Sequence, residues 1–179
     1  LLPRVLAGEQ FKPVRALSEL NRVQPKVEVV DVALEQGTTD KVTVTVEVAG
    51  DEQTFGEGKE QKIWHTGVYD LRLFRDQQLV GYAPKGRDEL KGDTDQKADL
   101  AQWRQVNKIK LDPSTGKKRV SFKHIRLPRR KDIESVEFSA YAFNEDRVKS
   151  ATARKNCVFT DDKEQASASQ EECMLQRPG

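Results

Sequence analysis

Two histidines and two cysteines are the residues here that could do nucleophilic chemistry: His65 in WHT, His124 in KHI, Cys157 in KNCVF and Cys173 in EECML. A thiol becomes a nucleophile when an imidazole within hydrogen-bond reach takes its proton, so His65 or His124 beside Cys157 would make a Cys–His pair. Nothing in the spacing brings them together, and Cys157 stands at an apolar strand end, where a thiol behaves as a small hydrophobe. A loop histidine and a core cysteine are the favoured reading. Two cysteines, one of them in a polar tail, are too few for a disulfide framework, and reduced thiols are the simpler expectation. Asp93, Asp95 and Asp99 in GDTDQKAD lack the central glycine and terminal glutamate of a calcium loop and read as a solvated acidic loop. Gly56 and Gly58 in TFGEGKEQ precede neither a Gly-Lys-Ser/Thr triplet nor a helix start, so they form no phosphate cradle. These patterns lead us to expect no catalytic residue, no metal ligand and no cofactor.

Charge narrows the partners. The 31 Lys and Arg against 29 Asp and Glu leave a net charge of +2, which argues against a nucleic-acid binder. Lys117-Lys118-Arg119 and Arg129-Arg130-Lys131 are two short basic clusters. Such runs usually protect strand ends and edges, with recognition of an acidic partner as the lesser reading. No stretch nears the roughly 18 consecutive apolar residues of a membrane span, and no signal-peptide pattern is visible. The chain opens at Leu1, which reads as a fragment or processed product. With reduced thiols, a cytoplasmic location is the expectation.

The elements that must carry these residues are strands. Val136, Phe138, Ala140 and Ala142 alternate with Glu137, Ser139, Tyr141 and Phe143, and the turn Asn144-Glu145-Asp146 sends the chain back, giving a hairpin with one apolar face. Val42, Val44, Val46 and Val48 alternate with Thr43, Thr45 and Glu47 in the same way. In Val27 to Leu34 the apolar face switches mid-strand, as at a β-bulge, and a similar switch falls between His124 and Ile125. Strands are also expected over Val68 to Phe74, Leu79 to Tyr82, Val106 to Leu111 and Val120 to Leu127, with a helical turn near Ala98 to Trp103 and a charged loop over Asp51 to Gln61. Seven or eight short strands with no recurrent helix between them predict an all-β antiparallel sandwich of immunoglobulin or fibronectin type III kind. Residues 27–160 form this sandwich. Residues 1–26, with Pro3, Pro13 and Pro25, read as an extended arm or linker. Residues 161–179, rich in Asp, Glu, Lys, Gln and Ser, read as a disordered, dispensable tail.

This architecture singles out one surface. If Tyr69, Leu71 and Leu73 point inward, Arg72 and Phe74 point outward, as Tyr141 and Phe143 do on the final hairpin. The two strands are neighbours in such a sandwich, so Arg72, Phe74, Tyr141 and Phe143 would form an aromatic-plus-arginine patch of the kind enriched at interfaces. The competing reading folds the long polar insertion of residues 83–103, with Leu100 and Trp103, over the same face to complete the core.

The hairpin resembles the last two strands of fibronectin type III domains, whose penultimate strand ends in Ala-x-Asn, here Ala142 and Asn144, although Val136 stands where that family carries a tyrosine. A broader likeness lies in LNRVQPKVEVVDV (residues 20–32), YDLRLFRDQQLVGY (69–82), IRLPRR (125–130) and FSAYAFNEDRVKSATARK (138–155). These strings resemble the β-sandwich segment of bacterial multidomain caspase-like proteins (orthocaspases), in which a WD-repeat propeller accompanies the peptidase. The resemblance covers residues 1–159 in patches. It implies the non-catalytic sandwich, since none of His65, His124, Cys157 or Cys173 sits in the His-Gly or Asp-x-Cys setting that the peptidase needs. The expected function is docking, spacing or regulation through protein contacts with neighbouring domains or another protein. The alternative is a carbohydrate- or surface-binding module, which would require Trp64, Tyr82 and Trp103 on one platform.

Overall fold

A computed structural model describes residues 19–85, 96–129, 132–161 and 173–176. In chain order these form β1 (Lys26–Leu34), β2 (Lys41–Ala49), β3 (Glu52–Phe55), β4 (Lys62–His65), β5 (Tyr69–Arg75), β6 (Gln78–Ala83), the helix α1 (Gln96–Asn107), β7 (Lys117–Arg126), β8 (Ser135–Phe143), β9 (Ala153–Thr160) and β10 (Cys173–Gln176). One sheet runs β1-β2-β7, the other β10-β9-β8-β5-β6, and β3-β4 is a separate hairpin. All pairings are antiparallel except β9 with β10. The fold is an all-β sandwich, as the alternation predicts. Val42, Val44, Val46 and Val48 on β2 join Leu71, Leu73, Val136, Phe138, Ala140 and Ala142 of the other sheet in one core, all of them fully buried. Each such valine or leucine stabilises the fold by about 1.5–3 kcal/mol relative to an exposed one.

Both expected face switches are bulges. On β1 the register slips between Val29 and Asp31, so that Val29 and Val32 both reach the core. On β7 three steps from Phe122 to Ile125 oppose two from Val44 to Val42, and His124 takes a left-handed φ of 62°. A third bulge was not expected. Three steps of β5 from Tyr69 to Arg72 oppose two of β8 from Phe143 to Tyr141, with Asp70 at φ 47°. The extra residue turns Tyr69 to the outer face beside Phe143, whereas strict alternation predicts it inside with Leu71.

Other elements differ from expectation. The charged stretch 51–61 folds mostly into the β3-β4 hairpin and its 3₁₀ turn at Gly58–Glu60. Residues 106–111 make no strand. The helix runs on to Asn107, and only a bridge from Lys108 to Tyr69 and the hydrogen bond from Ile109 to Val68 follow it. Within the arm, Asn21 and Val23 are buried; residues 1–18 lie outside the described residues. The tail is not free of structure either. Cys173–Gln176 pair in parallel with Cys157–Thr160, Leu175 is buried, and Cys157 and Cys173 form a disulfide. The expectation of reduced thiols is therefore corrected: the apolar pair Met174 and Leu175 carries the chain back to the sheet and sets Cys173 in register with Cys157.

Surface carboxylates close the strand ends. Hydrogen bonds from Lys117 and then Arg119 hold Glu47 below the usual carboxylate range. Arg129 does the same for Asp40, the His124 backbone amide for Glu35, Lys26 for Asp51, and Ser114 for Asp112. Groups depressed in the folded state add stability above their unfolded pKa and lose it as pH falls through the folded value. The thermal midpoint should thus stay level near neutrality and fall below about pH 4. A melting series in acid checks this, and a midpoint level down to pH 2 would contradict it.

Candidate functional site

The outer face of the five-stranded sheet gathers the four residues expected there. Arg72 lies opposite Tyr141 and Phe74 opposite Ser139 across the β5-β8 ladder. Phe74 stacks on Tyr141 at 5.3 Å between ring centroids, and Tyr141 meets Phe143 edge-on at 5.6 Å. The Arg72 guanidinium lies 5.2 Å from the Phe143 ring centre and 5.9 Å from that of Tyr141, and Lys149 Nζ is 4.5 Å from the same tyrosine. Cations over aromatic faces are attracted by the ring quadrupole. All four residues are half-buried.

Asp70 holds this arrangement in place. Its carboxylate is almost fully buried and accepts Arg72 Nη2 at 2.7 Å and Nε at 3.2 Å. That hydrogen bond raises the Arg72 pKa, so the guanidinium stays charged. A left-handed backbone at a non-glycine residue costs on the order of 1–3 kcal/mol, and aspartate tolerates it better than most. The bulge places the carboxylate beneath the guanidinium.

The helix of the insertion covers one end of this face. Trp103 of α1 stacks on Tyr69 at 5.7 Å and meets Phe143 edge-on at 6.4 Å. Burial under the helix pushes the Tyr69 hydroxyl pKa up. Arg104 fastens the helix, donating to the Glu145 carbonyl and the Asp146 carboxylate at 2.6 Å each. Arg147 caps the indole at 5.0 Å. Arg72, Phe74 and Tyr141 make no ring contact with Trp103, and Tyr82, opposite Arg72 on β6, extends their end of the face.

The other candidates do not converge. Cys157 is buried, its sulfur bonded to Cys173. His65 and His124 are exposed and face Glu52 at 3.2 Å and Glu35 at 2.8 Å. Asp93 and Asp95 lie outside the described residues, as do Arg130 and Lys131, and Asp99 lies in α1. Among the described residues no three His, Cys, Asp or Glu side chains group as a metal site, and no helix is long and apolar enough to cross a membrane. Gly56 and Gly58, both at positive φ, turn the small hairpin. Trp64 borders a recess with Leu20, Arg22 and Phe55, while Trp103 is buried against Tyr69. Sequence reasoning missed the Asp70 clamp, although its signal was present: an aspartate two residues before an arginine in a strand. Comparison with protein-family models, curated proteins and solved structures gives no match.

Proposed function

We propose that this sandwich is a non-catalytic docking, spacer or regulatory unit that binds neighbouring domains or another protein through Arg72, Phe74, Tyr141 and Phe143. The observation that carries the reading is the half-exposed aromatic cluster with its arginine already paired to a buried carboxylate. Side chains locked before binding lose little entropy on association, and aromatic and arginine anchors dominate interface energies. The strand orders β1-β2-β7 and β10-β9-β8-β5-β6 support the finer immunoglobulin or fibronectin type III-like assignment. Two of the four strings that resemble caspase-like proteins contain all four face residues, which favours a caspase-like multidomain parent with a WD-repeat propeller. The disulfide favours an oxidising compartment over the cytoplasm.

Phe74→Ala combined with Phe143→Ala tests the face in a pull-down of the chain against the remainder of its parent protein. Losing two anchors should weaken capture by roughly several hundred-fold, taking about 2 kcal/mol for each. An unchanged far-ultraviolet spectrum would show that the fold survives. Full capture by the folded double variant would reject this face.

A further inference from the structure

Among the described residues the sandwich is open along one side: β6 ends one sheet and β7 ends the other, and the two edges lie together. Between them is a cleft of about 640 Å³ whose floor is apolar, formed by Val80, Ala83, Val120, Phe122 and Ile125. Phe122 reaches across because Gly81 has no side chain: a Cβ there would stand 2.6 Å from the ring. Leu79, at the rim, is 48% exposed. Lysines that only guard an edge need no apolar cleft beneath them.

The rim is basic. Lys85, Lys123 and His124 line the cleft, and among the described residues no carboxylate does. His124 is held by Glu35 from beyond it. Lys117 and Arg119, farther along β7, are paired with Glu47, whereas among the described residues neither Lys85 nor Lys123 has an ion-pair partner.

We propose that this cleft takes an extended acidic segment of a partner protein. The segment adds a strand to the free edge of β7, places alternate apolar side chains on Phe122 and Val80, and turns its carboxylates toward Lys85 and Lys123. Backbone pairing supplies affinity in such strand addition, and the alternate pockets and charges supply specificity. This surface is distinct from the aromatic face and does not depend on it, although Leu79, opposite Phe74, and Tyr82, opposite Arg72, border both.

The probe is a peptide in which valine and glutamate alternate over six positions, the length of β6, with a valine–lysine peptide as its counterpart. Titration of the full chain, followed by amide chemical shifts, should move Leu79–Ala83 and Val120–Ile125 with the acidic peptide only. Lys85→Glu with Lys123→Glu, both surface changes, should weaken the acidic peptide by about tenfold or more and admit the basic one. Equal response to both peptides, or shifts confined to Phe74 and Tyr141, would overturn the proposal. So would concentration-dependent dimerisation through β6 and β7 that the peptide leaves untouched, which would give the cleft to a second copy.

Discussion

Deleting Asp161–Gly179 should lower the thermal midpoint by about 10 °C or more, and replacing Cys173 by alanine should lower it by less, although the composition of that segment suggests that it is dispensable. The disulfide spans 16 residues; closing a loop of that size in the unfolded chain is worth about 3 kcal/mol. Leu175 is 2% exposed, and removing it forfeits about 1.5–3 kcal/mol more. At about 2–4 °C per kcal/mol for a chain of this size, the deletion accounts for a fall of 10 °C or more. Cys173→Ala keeps Leu175 but loses its tether, so its loss should be smaller than that of the deletion. A reductant should bring the unmodified chain down to the Cys173→Ala midpoint and leave the variant where it is. The deletion also bares the outer edge of β9, a template for pairing with other chains, so the shortened protein should aggregate on heating. An unchanged midpoint in all these samples would mean that β10 contributes nothing to the folded state.

Period-two alternation made most of the sandwich legible. In β2 and β8 every second residue is apolar and every one of these is buried, because a sheet with one covered face admits no other register. Two bulges were legible for the same reason, since an apolar face that changes sides requires an extra residue. The bulge at Asp70 was not, because YDLRLF alternates acceptably without it: Tyr69 is apolar enough for the core and amphipathic enough for the surface. Its true side was decided by Trp103, which lies 34 positions away in a helix that the local pattern shows only as one turn. β10 was hidden by composition. Four residues suffice for an edge strand when a disulfide holds them, and the polar average over the segment conceals one leucine.

The candidate face was legible as a set of residues but not as a device. Alternation places Arg72, Phe74, Tyr141 and Phe143 on one side, and sandwich topology makes their strands neighbours. The clamp from Asp70 and the cation of Lys149 over Tyr141 depend on backbone turns at Asp70 and Arg147, both at positive φ. The β6-β7 cleft depends on which strands end their sheets, a property of the whole topology, and on Gly81, whose missing side chain makes room for Phe122.

Asn144→Ala should destabilise the protein by about 3 kcal/mol or more, because one side chain satisfies four backbone groups, two of them in buried bonds and two in part-buried ones. Asn144 is fully buried. Its Nδ2 donates to the carbonyls of Asn21 at 2.6 Å and Val23 at 2.9 Å, and its Oδ1 accepts from the amides of Asp146 and Val148 at 2.9 Å each. Alanine leaves two carbonyls and two amides without that partner, at about 1–3 kcal/mol for each that water cannot reach. The same turn anchors α1 through Arg104 on Glu145 and Asp146, so damage should spread to Trp103 on the candidate face. Hydrogen exchange should therefore show lost protection at Val148 and Asp146, and the fluorescence of the variant should shift toward that of an exposed tryptophan. Arg104→Ala separates the two effects. It should reproduce the fluorescence shift with a smaller fall in stability, since it removes a half-exposed partner and leaves the four Asn144 bonds in place. If Asn144→Ala cost no more than Arg104→Ala, the residue would be a turn former and not the knot that ties arm, turn and helix to the sheet.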